Sequence, residues 1–281
     1  GELLLSNKGQ NMSTGSDSII KNTGSTTVRN HSIGGLTLGG TFINENGPIN
    51  IENRAGYLNM DKNAQIINRK ADINITNSSG GAMNLDGSIY NLEGDDINIK
   101  NTSTRGGITI GENALINTQG NVNFENYGMH GTKVQGKVVG NDINIGNKDS
   151  HVYLGNPNEL TTDDDIANLN AYNDVNIENG SLLNAGTKNT MIRTEKDLTI
   201  NVNNGKIGVE TGTSGGGYTY GPTGDQVDTA KSINIDVGGV INAHTLDSKK
   251  TNGDYVINMA SKGSDMNIDH IYAAGRVILL T

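Results

Sequence analysis

Four aspartates are placed where paired carboxylates could work on a glycosidic bond. Asp72 and Asp96 each precede a short apolar-Asn-apolar triplet, and Asp142 and Asp174 hold the same offset before later triplets. Glycoside hydrolysis needs two carboxyl groups roughly 5–9.5 Å apart, one to protonate the leaving oxygen and one to attack or to activate water. Aspartates stacked on successive repeats would approach that spacing. An Asp just before a strand is also an ordinary turn residue, and on that reading no catalytic residue is expected. His31, His130, His151, His244 and His270 lack the i, i+4 or His-x-His spacing of a metal pair. The run Asp163-Asp164-Asp165 offers oxygens to calcium, but no Gly-Gly-x-Gly-x-Asp array accompanies it, which favours a solvated loop. Thr213-Ser214-Gly215-Gly216-Gly217 belongs to no strand–loop–helix nucleotide motif. Neither cofactor nor metal is expected.

The elements that carry these residues follow from composition and period. Ile, Leu, Val and Phe make 64 of the 281 residues, just above the level of about 20 % below which charged chains are usually disordered. Gly and Pro together number 42 without a Gly-x-y period, which excludes collagen and simple linkers. A net charge of −9 with no Lys/Arg stripe argues against a nucleic-acid partner. No apolar run approaches the ~18 residues of a membrane span, and Gly1-Glu2-Leu3 lacks the basic start of a signal peptide. Cysteine is absent, which rules out disulfides and thiol chemistry without fixing a compartment.

The triplet recurs as Ile49-Asn50-Ile51, Ile73-Asn74-Ile75, Ile97-Asn98-Ile99, Val122-Asn123-Phe124, Ile143-Asn144-Ile145, Val175-Asn176-Ile177, Leu198-Thr199-Ile200 and Ile233-Asn234-Ile235. Its offsets are 24, 24, 25, 21, 32, 23 and 35. A second triplet follows nine to eleven residues later, as in Leu58-Asn59-Met60, Met83-Asn84-Leu85, Ile108-Thr109-Ile110, Val152-Tyr153-Leu154 and Ile207-Gly208-Val209, and a third apolar patch, such as Ile66-Ile67, Ile89-Tyr90 or Leu115-Ile116, closes the unit. Alternation with period two turns both apolar residues to one face and the central Asn to the other, which is a strand signature. Three such strands bury too little alone, but stacked coil on coil they share a continuous core. The chain is therefore expected to be all-β, a single-stranded parallel β-helix across residues 1–281. Right-handed crossovers are the default, and ten to eleven coils at about 4.8 Å each would make a rod about 50 Å long.

Four residues after each triplet begins, on the inward parity, stand Asn53, Asn77, Asn101, Asn126, Asn147 and Asn179. Inward Asn side chains can satisfy turn groups and bond to the same Asn one coil away, forming a ladder. Asn also suits left-handed turn positions in solvent. Val202 and Val237 take the corresponding place after Leu198 and Ile233, so the ladder is expected to give way there to an aliphatic stack.

The repeat resembles the haemagglutinin repeat of filamentous-haemagglutinin-type, two-partner-secreted exoproteins, roughly Gly-x-Ile-x-Asn-x-x-Gly-Asp-Ile-x-Ile. The segment Gly87-Ser88-Ile89-Tyr90-Asn91-Leu92-Glu93-Gly94-Asp95-Asp96-Ile97-Asn98-Ile99 carries it best, and Ala64–Ile75 and Asn117–Phe124 are further copies. The Asn-rich flavour is most similar to the leukotoxin-type filamentous adhesins of fusobacteria and relatives, and the resemblance is good from about residue 45 to 210. It implies a long virulence exoprotein, exported through an outer-membrane partner and acting outside the cell by adhesion or toxicity. Asn156-Pro157-Asn158-Glu159-Leu160 resembles part of the family's secretion motif but sits mid-chain, where a turn is the simpler reading. Apolar segments at both ends, Leu3-Leu4-Leu5 and Val277-Ile278-Leu279-Leu280, suggest that further coils flank this piece.

Two insertions, residues 155–171 and 211–229, account for the offsets of 32 and 35. Solenoids extrude such insertions as loops, often on the binding side. The second holds Tyr218, Tyr220 and Pro222, a Gly-flanked aromatic cluster suited to recognition. The functional expectation is a non-enzymatic rod of a secreted adhesin or leukotoxin-type exoprotein that presents loops to a host-cell receptor or glycan. A polysaccharide-processing or tailspike β-helix, and the stalk of a contact-dependent toxin, are the alternatives; a cleft with paired carboxylates and aromatic platforms would mark the first.

Overall fold

In the computed structural model, the residues described are 1–147 apart from Ser79 and, beyond them, the strand segments alone, with side chains there limited to Val152, Leu169, Ile177 and Ile278. The chain is a parallel β-solenoid. Each turn has three short strands, about 24 residues separate equivalent positions, and there is no helix among the described residues. Residues 1–147 hold six complete turns.

The strands form three parallel ladders. The first contains Leu3–Asn7, Thr26–Asn30, Ile49–Asn53, Ile73–Asn77, Ile97–Asn101, Val122–Asn126, Ile143–Asn147, Val175–Asn179 and Leu198–Val202. The second runs through the three-residue strands, such as Leu58–Met60, Met83–Leu85 and Ile108–Ile110. The third is an 11-stranded sheet. Register is one coil to one coil with no slip: Ile73 lies between Ile49 and Ile97, and Asn77 between Asn53 and Asn101.

This register follows from the side chains. Ile49, Ile51, Ile73, Ile75, Ile97 and Ile99 are fully buried, while the intervening Asn and charged residues face outward. A one-residue slip would exchange the two sets. Branched aliphatic side chains suit a narrow, repeating interior, and both phenylalanines of the chain, Phe42 and Phe124, are accommodated in it.

The C-terminal turns correct two expectations. Ile233–Val237 belongs to the third ladder, where Ile233 pairs with Thr190 and Val237 with Thr194 and Met259. Leu198 instead pairs with Ile241. Val202 is in register with Asn179, but no stack of Val202 on Val237 exists, because the two residues sit on different faces. The strand Ile241–Ser248 pairs with Leu198–Val202 at its start and Lys206–Gly208 at its end. It therefore runs straight through the corner between the first two faces and fuses their ladders into one 20-stranded sheet, and Met266–Ala273 follows it in register.

The first insertion is also shorter than its spacing suggests. Asn168–Ala171 is a rung of the third ladder paired with Lys137–Gly140, and Leu169 is buried. The inserted residues are thus 155–167. They join a second-ladder strand, Val152–Leu154, to a third-ladder strand. Lys206–Gly208 and Ile233–Val237 stand in the same relation around the other insertion. Both insertions therefore fall at the same point of the repeat, between a second-ladder and a third-ladder strand.

Candidate binding face

The asparagines that end the first-ladder strands form a buried chain of hydrogen bonds. Asn7 Nδ2 donates to Asn30 Oδ1 at 3.1 Å, Asn30 to Asn53 at 2.8 Å, Asn53 to Asn77 at 2.8 Å, Asn77 to Asn101 at 3.2 Å and Asn101 to Asn126 at 2.8 Å. Asn30, Asn53, Asn77 and Asn101 are fully buried. From Asn30 on, each Nδ2 also donates to a carbonyl of the following turn, as from Asn53 to Tyr57 at 2.9 Å and from Asn77 to Gly81 at 2.8 Å. Asn147 is in register below Asn126, and its Oδ1 accepts from Thr132 Oγ1 at 2.6 Å. The side chain of Asn179 lies outside the described residues. The series begins two coils before the Ile-Asn-Ile pattern, at strands whose Leu3-Leu4-Leu5 and Thr26-Thr27-Val28 hide the repeat.

A second buried asparagine series escaped the sequence reading. Asn22, Asn44, Asn68 and Asn91 end successive third-ladder strands in register. Asn44 Nδ2 donates to Asn68 Oδ1 at 3.3 Å, and Asn68 Nδ2 turns to the carbonyl of Ala71 at 2.7 Å. The shared third-strand ending, apolar-x-Asn, is the signal that could have found it.

The aspartates are turn clamps. Asp72 Oδ1 accepts the backbone N–H of Asp96 at 3.1 Å, and Asp96 Oδ1 accepts that of Asn121 at 2.8 Å. Asn121 occupies the next rung, where its Oδ1 accepts the N–H of Asp142 at 3.2 Å. An amide thus replaces a carboxylate in mid-series and accepts the same kind of backbone bond. Asp174 and the run Asp163-Asp164-Asp165 lie outside the described residues, as does Pro222. Among the described residues no three His, Asp or Glu cluster as metal ligands would. Tyr218–Tyr220 pairs antiparallel with Gly212–Ser214, so Tyr218 and Tyr220 fall on one arm of a two-stranded hairpin inside the second insertion.

Outward on the first face run two rows of side chains, one coil apart along each row. The inner row is Asn50, Asn74, Asn98, Asn123 and Asn144, each later Nδ2 donating to the preceding Oδ1 at 2.8–3.0 Å. This chain runs opposite in sense to the buried one, in which the earlier coil donates. The next row is Arg29, Glu52, Thr76, Lys100 and Glu125. Arg29 binds Glu52 through two of its guanidinium nitrogens, Nε to Oε2 at 2.8 Å and Nη2 to Oε1 at 2.7 Å, and Arg54 Nη2 adds a contact to Oε2 at 3.1 Å. Arg29's hydrogen bonds are the main reason that Glu52's carboxyl is held below the usual carboxylate range, and Glu52 raises Arg29 in return. Farther along, Lys100 Nζ meets Glu125 Oε2 at 2.7 Å and lies 5.6 Å from the centre of the Tyr127 ring, whose hydroxyl also donates to Glu125. Hydrogen bonds from Lys100 and then Tyr127 lower the Glu125 carboxyl, while the bond to Glu125 raises both Lys100 and the Tyr127 phenol.

Between these two ion-paired clusters the row holds only Thr76. The short side chain leaves a groove of about 340 Å³ lined by Asn50, Glu52, Arg54, Asn74, Thr76 and Ser78. Its floor is amide and its walls are hydroxyl, guanidinium and the Glu52 carboxylate, a lining that hydrogen-bonds a polar ligand.

No family model, curated protein or solved structure matches this chain. The fold and its faces are therefore the ground on which function is argued.

Proposed function

We propose that this chain is a rod segment of a secreted, filamentous-haemagglutinin-type exoprotein of adhesin or leukotoxin type. It lies outside the bacterial cell after export through an outer-membrane partner, and acts without catalysis by presenting loops and flat polar faces to host-cell receptors or glycans. The observation that supports this reading is the register. Identical side chains stack rung upon rung, so each added coil extends the rod and its surface pattern without needing a new core. Both insertions fall between a second-ladder and a third-ladder strand, and solenoids often carry binding segments at such insertions. The aspartate series supports the non-catalytic part, since Asp72 and Asp96 are engaged by backbone N–H groups and Asn121 stands in their place one rung on.

The test is binding of the purified chain to leukocytes and epithelial cells by flow cytometry, beside a variant in which residues 211–229 are replaced by a short Gly-Ser turn. Binding that falls with the replacement assigns contact to that loop, and binding unchanged by it assigns contact to the faces. Absence of binding by either protein refutes the adhesive reading and leaves a spacer.

A further inference from the structure

We propose that the groove beside Thr76 is a binding site for a short acidic oligosaccharide, with a sugar carboxylate on Arg54 and the chain of sugar rings lying along the rod towards Tyr127. This deepens the adhesive reading and rests on it, naming the chemistry of the ligand.

The charged row is interrupted at Thr76. Arg29 and Glu52 on one side, and Lys100 and Glu125 on the other, fill their positions with long paired side chains. Thr76 between them does not, and the depression it leaves has a volume at the lower end of the ~300–1,000 Å³ typical of ligand sites. Its side chains bring amide, hydroxyl, guanidinium and carboxylate groups to the groove, a set suited to a polar ligand. Of the floor asparagines, Asn50 spends one lone-pair direction in the outward ladder by accepting from Asn74 at 3.0 Å, and Asn74 spends one N–H on that bond and one lone-pair direction by accepting from Asn98 at 3.0 Å. An amide has two donors and two acceptor directions, so the floor asparagines keep hydrogen-bonding capacity beyond the ladder for sugar hydroxyls. The hydroxyls of Thr76 and Ser78 add to that set.

Charge selects the acid. The protein as a whole carries −9. Along this face, however, three cations (Arg29, Arg54 and Lys100) stand against two carboxylates (Glu52 and Glu125). Both oxygens of Glu52 are already held by guanidinium groups, so its charge is offset where a ligand anion would approach. Arg54 spends one donor on Glu52, its side chain is 52 % exposed, and the remaining guanidinium fork matches a carboxylate.

Length selects more than one ring. Arg54, Ser78, Thr102 and Tyr127 occupy equivalent places on four successive coils, as their N–H groups show by bonding to Asn30, Asn53, Asn77 and Asn101. Three coil spacings of about 4.8 Å put Tyr127 roughly 14 Å from Arg54 along the axis. Thr102 between them is exposed and small, and Tyr127 offers a partly exposed ring at the far end.

The experiment is an amide-resolved NMR titration of the purified chain with a hexuronate-containing disaccharide and with its methyl ester, which keeps the shape and removes the charge. The expected result is saturable shifts at Asn50, Asn74, Thr76 and Ser78 with the acid, and at least tenfold weaker binding of the ester. Arg54→Gln should bring the acid down to the ester's level, and Thr76→Lys, which fills the groove, should abolish both; circular dichroism confirms that each variant is folded. Absence of saturable shifts with the acid, shifts confined to another region, or equal binding of acid and ester with Arg54→Gln silent would each overturn the proposal. Cell binding separates the two readings. If cells bind the wild type and Arg54→Gln alike while the titration is negative, the groove fails and the adhesive reading stands. If the titration is positive and no cell binds, the adhesive reading fails and the groove remains a carbohydrate site.

Discussion

Removing one rung of the buried asparagine ladder tests the energetics of the rod most directly. Asn77 is fully buried, accepts from Asn53 at 2.8 Å, and donates to the Gly81 carbonyl at 2.8 Å and to Asn101 Oδ1 at 3.2 Å. Asn77→Ala deletes at least these three hydrogen bonds, at about 1 kcal/mol each. Asn53 retains its bond to Tyr57, and Asn101 Oδ1 still accepts from the Ser103 N–H at 3.3 Å, so neither neighbour loses all its partners. The Gly81 carbonyl loses the donor that Asn77 supplies, but Gly81 is only half-buried and water can replace part of that bond. The expected loss is about 3 kcal/mol, a large part of a domain's usual ~5–15 kcal/mol. Asn74→Ala is the control, because Asn74 also sits in an asparagine ladder with bonds of 3.0 Å on both sides, but on the solvent face. Water can replace those partners, and the expected loss is under about 1 kcal/mol. Urea denaturation followed by circular dichroism measures both, and hydrogen exchange at Asn53, Asn77 and Asn101 shows whether opening is local to the altered coil. Equal losses in the two variants, or a loss below about 1 kcal/mol for Asn77→Ala, would refute the claim that burial gives the inner ladder its weight.

Three other outcomes follow from the same geometry. Gly106→Ala should destabilise by about 1–3 kcal/mol in the same assay, because a β-carbon there would stand 2.2 Å from the Gly81 carbonyl oxygen and force the stacked turns apart. Asp96→Asn should leave stability within about 0.5 kcal/mol of wild type, since Asn121 fills the equivalent acceptor role, whereas Asp96→Ala should cost about 1–2 kcal/mol by orphaning the Asn121 N–H. Glu52, lowered by Arg29, contributes stability that is complete above the ordinary carboxylate range and is lost as pH falls through its depressed folded value. Thermal melts of wild type and Glu52→Gln should therefore differ at pH 7 and converge in acid, and a gap that persists unchanged at low pH would refute the linkage.

Much of this fold was legible in the residues. The two-residue alternation of Ile49-Asn50-Ile51 fixes which side chains face inward, and its 24-residue recurrence fixes which strands stack, because only that register buries every Ile on an Ile. The position of Asn53, Asn77, Asn101 and Asn126 at the end of that alternation already implied inward parity, and hence a set of polar groups obliged to find partners in each other and in the turns.

Other features depend on which strand lies beside which. Ile233-Asn234-Ile235 has the same local pattern as Ile97-Asn98-Ile99, yet it lies on a different face. Alternation says which side of a strand is buried and nothing about which of three faces the strand occupies, and unequal insertions break the count along the chain. The assignment of Asp72 and Asp96 to turn N–H groups is of the same kind, since their partners lie one coil on in sequence. So is the groove at Thr76. Threonine there is unremarkable in the chain, and becomes a depression only because coiling sets it between the Glu52 and Lys100 positions, 24 residues away on either side. Local spacing determined the strands and their inward faces; packing between coils decided which polar groups are spent on the fold and which are left facing solvent.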